Sequence, residues 1–412
     1  MTALLKSENS ARRWLAVGAG SLAMASGFGV ISTVAPLMQP LENEFGWLRA
    51  DMSGAYTLAS LGAAMGGLFW GAMADRFDTR WIAVCGALVL GSGLILLSRQ
   101  SGLPAVQITY LVMGAAGFAC LYTPVITAVG AWFNEGRGLA IGVVTAGGAL
   151  GQGVMPVTLQ HLLDAVGWRT ACVVIGLAYV VGLAPVMLLL SKPEVRGTAL
   201  KAGQGRSWNL SPHVSVALLA LAAVLCCTCM AVPLVHLLPY LIGAGQSPTS
   251  AATVVLAIML TGTVGRIAFG ALADRVGGLA SYALAAAIQS ATVYMLVGAE
   301  SVVSLYIIAL VFGFGFSGVM TCLIVCVREA VPARSYGFAT AVVGMAAWFG
   351  MGTGGYLGGY CFDATKAYEA SFAGAAAAGT VNLALLLGLW VLVARAASPH
   401  ASSRGSALPR PA

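Results

Sequence analysis

Between Val254 and Arg275 the chain runs for the thickness of a membrane almost without polarity, broken by a single arginine, Arg266, and closing on Gly270-Ala-Leu-Ala-Asp-Arg275. Comparable apolar stretches recur along the whole chain, each exceeding the roughly 18 residues at which a helix can cross the hydrocarbon of a bilayer. In lipid every backbone N–H and C=O must be satisfied within the protein, so only helices or a closed barrel can span, and uninterrupted apolar runs select helices. Composition agrees: 59% of the residues are hydrophobic and 8% charged, far below the roughly 25% charged of a soluble domain. The formal charge of +7 therefore points to membrane topology rather than to nucleic acid. The cysteines fall almost all inside apolar runs, as at Cys85, Cys120, Cys172, Cys226 and Cys322, where they read as packing residues and not as a disulfide framework. No cleavable signal is evident, because the first run follows Arg12 and Arg13 directly and is too long for a signal-peptide core.

Dividing the runs at charged and Pro/Gly punctuation predicts twelve helices, over roughly 14–38, 51–73, 80–98, 104–130, 137–162, 170–190, 214–241, 248–272, 279–298, 301–326, 335–360 and 371–395. The polar stretch from Ser191 to Pro212, with Lys192, Arg196, Lys201 and Arg206, is the one convincing linker. The expected organisation is a six-helix bundle over 1–190, a cytoplasmic linker over 191–212, a second six-helix bundle over 213–398 and a cytoplasmic tail over 399–412. The fold class that follows is an all-α membrane protein whose two bundles are related by pseudo-two-fold symmetry, the plan of many secondary transporters. With the N-terminus inside, sixteen lysines and arginines fall on the inner side and four, Arg49, Arg99, Arg169 and Lys366, on the outer. That bias places both termini in the cytoplasm, here of a bacterial inner membrane. All fourteen acidic residues lie in loops or at helix ends.

Three sets of residues carry candidate chemistry. The first is a repeat: Gly71-Ala-Met-Ala-Asp75-Arg76, followed by Asp78 and Arg80, is matched at Gly270-Ala-Leu-Ala-Asp274-Arg275, each copy closing a Gly-rich apolar segment. Glycine lets helices approach closely, and an aspartate there can cap a helix or pair with arginine across the inner seam, so Asp75, Arg76, Arg80, Asp274 and Arg275 read as an inner gate. The second is Arg266, about 12 Å inside the membrane when counted from Asp274 at 1.5 Å per residue. A guanidinium so deep costs roughly 2.5 to 3.5 kcal/mol to insert and is a bidentate receptor for a carboxylate, the alternative being a structural arginine bonded to carbonyls of broken helices. The third is His236, in Pro233-Leu-Val-His-Leu-Leu-Pro239. It either binds the anion or relays a proton, or else stays neutral on a carbonyl freed by the flanking prolines. Tyr122, Gln152 and Trp348 are further polar or aromatic groups on expected helices 4, 5 and 11.

The repeated loop resembles that between helices 2 and 3 of the major facilitator superfamily and its second-half counterpart. Arg266-Ile-Ala-Phe-Gly270 before the second copy, Trp132-Phe-Asn-Glu-Gly-Arg137-Gly-Leu-Ala-Ile-Gly142 and Gly167-Trp-Arg169 resemble the monocarboxylate transporter family, whose wider group includes the bacterial oxalate–formate antiporter. The resemblance implies that Arg266 binds a substrate carboxylate, with Tyr122 and Trp348 near cavity aromatics of the oxalate transporter. The chain also departs from the pattern. Proton-coupled members carry a lysine in helix 1 and an aspartate one turn before the helix-8 arginine, whereas Gly27 to Pro36 holds no lysine and the latter position is Gly262. The second cation of the oxalate transporter, in helix 11, has no counterpart between Ala341 and Tyr360. One fixed cation suits a monoanion, since a dianion would keep an uncompensated charge in low dielectric.

Other motifs are discounted. Gly313-Phe-Gly-Phe-Ser-Gly318 spells a dinucleotide fingerprint but has no strand before it, so its glycines read as packing residues. The Cys226–Cys229 pair has no partner ligands in sequence, and Gly147 to Gly153 lacks the Gly-Pro pair of proton-driven drug exporters. The expected function is secondary transport of a small organic anion, a monocarboxylate, by a monomer without cofactor or metal, with a proton as the candidate coupling ion. The alternative is a proton-coupled drug or metabolite exporter, which normally needs a carboxylate within a span. An enzyme is disfavoured because His161, His213, His236 and His400 are scattered and the carboxylates peripheral.

Overall fold

The computed structural model describes residues 2–74, 76–133, 137–190, 208–299, 301–332 and 335–397, and among these there is no strand. Helix α1 (Thr2–Ser32) steps at Thr33 into α2 (Val34–Phe45), which ends on Gly46 in the left-handed conformation. Next come α3 (Arg49–Met73), α4 (Thr79–Leu97) and α5 (Leu103–Val112), the last passing through a π-helical turn, Met113–Phe118, into α6 (Ala119–Ala131). Helix α7 (Arg137–Leu177) continues through a second π-helical turn, Ala178–Leu183, into the short α8 (Ala184–Val186). Beyond 191–207 follow α9 (Pro212–Gly243), α10 (Pro248–Val276), α11 (Gly278–Val293), α12 (Val302–Ala330), α13 (Tyr336–Thr365) and α14 (Glu369–Ala397). Helix therefore covers the expected spans, mostly with longer ends, the fifth and sixth running together through Gly167. Of the expected linker, 191–207 lies outside the described residues, as does the tail from 398.

Among the described residues nine stretches are long and apolar enough to cross a membrane. Helices α3 and α13 match them in length but fall outside that set. One of the nine, Ala140–Leu189, doubles back. At its centre Gly167 has φ +76°, a conformation that glycine adopts without a Cβ clash. The reversal shows in the packing: Gly151 lies against the Ala25 backbone, and Tyr179 donates to the neighbouring Ser26 carbonyl at 3.1 Å.

Lipid offers helices no hydrophobic reward for touching one another, so small residues that admit close backbone approach do that work. Gly147 and Gly151 bring α7 onto the backbone of Ser21 and Ala25 in α1, and Gly62 and Gly66 bring α3 onto Leu111 and Ala115. The glycines of the false nucleotide fingerprint pack in the same way. Gly313 meets Ile258, Gly315 meets Ile288 and Gly318 meets the Phe269 ring. Large side chains face outward instead, with Val181 72% and Ile267 71% exposed, as expected where the outer solvent is hydrocarbon.

Loop contacts define two faces. Arg169 bonds the Ser98 carbonyl and Glu44, at 2.7 Å each, and Tyr240 bonds the Val297 carbonyl. These loops form the face opposite the chain ends, called here the distal face. On the terminal face Gly278 N donates to Glu329 at 2.9 Å, Trp208 N to the Glu329 carbonyl, and Asn209 to the Ala396 carbonyl. Substituting Gly151→Val should push α7 off α1 and cost about 1–3 kcal/mol, the usual range for overpacking. Thermal unfolding of the purified protein followed by tryptophan fluorescence should show the lowered midpoint, and an unchanged midpoint would contradict the close approach.

Candidate functional site

The helices before and after 191–207 meet along a seam, closed at the distal face and parted toward the terminal one. It is built chiefly from α3 and α13. Near the distal end Asp363 accepts from the backbone N–H groups of Arg49, at 3.2 Å, and Ala50, at 2.7 Å. Deeper in, Thr57 donates across the seam to the Gly352 carbonyl at 2.8 Å, while His236 of α9 bonds the Gly355 carbonyl of its own side through Nε2 at 2.8 Å and meets Ser53 of α3 at 3.4 Å. Gly352, Gly355 and Gly359 of α13 lie directly against Thr57, Tyr56 and Ser53 of α3. The same face of each helix then loses its cover: Leu68 on α3 is 51% exposed, and Met345 and Phe338 on α13 are 46% and 76% exposed. A second contact joins α7 to α10, where Gly153 packs on Leu256 and Met259.

Arg266 lies on α10, about 27 Å along the helix from its distal end at 1.5 Å per residue, beyond the tight part of this contact. Its Nη1 donates to the Thr145 carbonyl of α7 at 3.1 Å, while Nε is buried without a hydrogen-bond partner. The guanidinium is near enough to Tyr122 of α6 to interact with it electrostatically. Tyr122 belongs to an aromatic group shared by both sides of the seam. Its ring packs on Phe118 at 5.3 Å and Phe28 at 5.9 Å between centroids, and Trp348 of α13 lies 5.1 Å from Phe118 and stacks on Phe28 at 6.3 Å. A guanidinium with one edge held by a carbonyl and Nε unengaged, beside aromatic rings, offers a preorganised grip for a small anion.

The structure thus brings together Arg266, Tyr122 and, through the rings, Trp348. It sets His236 and Gln152 apart from them. His236 is fully buried in the seam, about 10 Å from the distal end of α9 at helical rise. Gln152 borders a crevice of about 10 Å³ with Ser32, Tyr56 and Leu234, room for one water at most. At the terminal face Arg76, Asp274 and Arg275 are exposed and make no ion pair among the described residues, while Arg80 pairs with Asp78 of its own loop at 2.6 Å. Asp75 lies outside the described residues.

Sequence reasoning did not single out Phe28, Phe118, Arg49 or Asp363. The two phenylalanines look like any apolar residue in a span. Arg49 and Asp363 were visible only as loop charges, and their meeting depends on α13 running on to Thr365. The departure at Gly262 also gains a physical reason, since Ser317 of α12 occupies the space a side chain there would need.

Spanning helices that meet at one face and part toward the other follow the plan of many secondary transporters. The family model of the Major Facilitator Superfamily matches residues 18–355 and again 245–411, and the chain belongs to that superfamily of membrane transporters. Among similar proteins, Monocarboxylate transporter 13 of Rattus norvegicus is 24% identical over 364 residues, 87% of this chain and 84% of that one. MFS-type transporter 1 of an Ophiocordyceps species is 22% identical over 336 residues, 79% and 73% of the two chains. Of solved structures, a bacterial homologue of the human lysosomal transporter Spinster, inward-facing and unoccupied, superposes with a TM-score of 0.72 at 14% identity, over 93% of this chain and 97% of that one. The nucleoside transporter NupG does so with a TM-score of 0.74 at 14% identity, over 91% and 99%. At such identity these two establish the fold alone.

The asymmetry of the seam is open to direct measurement. A Thr57→Cys/Gly352→Cys pair should cross-link on mild oxidation without substrate, whereas a Leu68→Cys/Phe338→Cys pair should not, as read by peptide mass mapping. Cross-linking of the second pair alone would reverse the assignment of open and closed ends.

Proposed function

We propose that this transporter carries a small organic monoanion, a monocarboxylate, across the membrane by alternating access, with Arg266 gripping the carboxylate. The observation that carries the reading is the Arg266 guanidinium, buried at Nε without a partner and held at Nη1 by the Thr145 carbonyl. Among the described residues no carboxylate pairs with it, so a substrate carboxylate supplies its counter-charge. Because its anchor lies on α7 and its own helix is α10, an anion bound there touches both moving sides. Tyr122 and Trp348 complete the receptor with apolar contact. The monocarboxylate transporters among the relatives favour the same substrate class. The exporter alternative fares worse, because it normally needs a carboxylate within a span and the acidic residues lie in loops or at helix ends.

In this reading the terminal face is cytoplasmic, the structure is the inward-open state, and Asp75, Arg76, Arg80, Asp274 and Arg275 re-form the inner gate when the distal side opens. His236 acts from the distal side only, since its ring reaches solution once the seam parts. Proton coupling through it predicts uptake that rises as external pH falls from about 7 to 6, around the ordinary histidine range. His236→Gln should flatten that rise and leave counterflow exchange intact. Equal wild-type uptake at the two ends of the range, with substrate ionisation held constant, would remove the proton from the mechanism.

Arg266→Ala should abolish uptake with the protein still inserted, and Arg266→Lys should impair it by losing the bidentate fork. In a thermal-shift panel, monocarboxylates should stabilise the wild type, by about 2.7 kcal/mol at a hundredfold excess over Kd. They should do nothing to Arg266→Ala. Wild-type uptake by the alanine variant would make Arg266 structural and sink the proposal.

A further inference from the structure

We propose that Asp363 bolts the distal gate, closing it by capping the N-terminus of α3 from the other side of the seam. The first turn of any helix leaves backbone N–H groups without partners. At α3 the preceding residue, Leu48, has no side-chain acceptor to offer them. Asp51 turns back to Leu48 N at 3.0 Å, so it serves the residue before the helix. The N–H groups of Arg49 and Ala50 are met instead by the two carboxylate oxygens of Asp363, more than three hundred residues further along the chain. A carboxylate at a helix N-terminus is favoured both by these bonds and by the helix dipole. Here the favour exists only while the two sides of the seam are together.

The Arg49 side chain reinforces the closure. Its guanidinium lies 3.9 Å from the centroid of the Phe362 ring and donates to the Tyr368 hydroxyl at 2.6 Å, while Nε pairs with Glu42 of its own side at 3.3 Å. Helix α3 thus presents its first residue to α13 twice, once by backbone and once by side chain. Beneath this, the hydrogen bonds that cross the seam, Thr57 to the Gly352 carbonyl and Ser53 with His236 Nε2 at 3.4 Å, involve no fixed charge. Among the described residues, Asp363 and Arg49 are the fixed charges that bond across the seam at the distal end. Parting the halves exposes the carboxylate, the guanidinium and the α3 N-terminus to water together, so the pair sets the balance between the two access states.

The inference rests on the alternating-access reading, and its test needs no substrate. Ser53, fully buried beside Gly359 and His236, becomes the reporter as Ser53→Cys in protein carrying Cys85→Ser and Cys361→Ser, reconstituted in nanodiscs. Maleimide labelling is followed cysteine by cysteine by mass spectrometry, with native Cys172, buried on one side of the seam only, as the internal control. Asp363→Ala should speed labelling at position 53 by about tenfold, as expected on losing charge-assisted bonds to two N–H groups. Asp363→Asn, which keeps shape and one acceptor, should fall between, and Cys172 should stay slow in both. An unchanged or slower rate at position 53 overturns the bolt, as does a parallel rise at Cys172, which would mean general loosening. Should the alanine variant not be recovered monodisperse, the asparagine variant decides by the same criterion. Labelling is independent of whether Arg266 binds an anion, and Arg266→Ala should leave it unchanged, so the two proposals fail separately.

Discussion

Helices surrounded by lipid lose nothing by separating unless their backbones come close enough for dispersion and hydrogen bonding to matter. Every contact that shapes this protein answers to that condition. Within each side of the seam, glycines at 62, 66, 147, 151, 313 and 318 remove the side chains that would hold helices apart, and the outward faces are left to bulky aliphatic residues. The same device governs the seam, where glycines of α13 lie on α3. Stability within each side and mobility between them therefore draw on one kind of contact, deployed to different extents.

Against this apolar background a few polar groups acquire disproportionate weight. Buried polar atoms are costly when unpaired and strong when paired. Arg266 keeps Nη1 engaged and Nε unpaired, the state that the proposed anion grip requires. His236 spends Nε2 on a carbonyl and is closed off, as suits a seal. Asp363 spends both oxygens on another helix's beginning.

Most of the fold was legible in the amino-acid sequence because bilayer thickness imposes a length that no side-chain detail can hide. The runs around Val254 and Val302 announce themselves as spans, and the paired Asp-Arg loops announce the superfamily. Arg266 was legible for a related reason: charge is conspicuous where it is expensive. Gly167 was read as a boundary, and its positive φ explains how α7 turns back there. What stayed hidden depended on two distant segments meeting. Nothing near Asp363 marks it as a cap, since the N–H groups it serves belong to residues 49 and 50. Nothing near Phe28 says that Trp348 will stack on it. Nor does the local sequence of His236 show that it faces Ser53 and Gly355 rather than the arginine.

The glycine-lined stretch of α13 bears on speed as well as on shape. A junction formed by interlocked side chains must unthread them, rotamer by rotamer, each time it opens. Where Gly352, Gly355 and Gly359 meet α3, the side chains stand on α3 alone, Ser53, Tyr56 and Thr57 against a face without any, so nothing interlocks from both sides as the two helices separate. Under the proposed alternating access, resistance to opening is then concentrated at the rim, in a few terminal bonds rather than along the whole length of two helices.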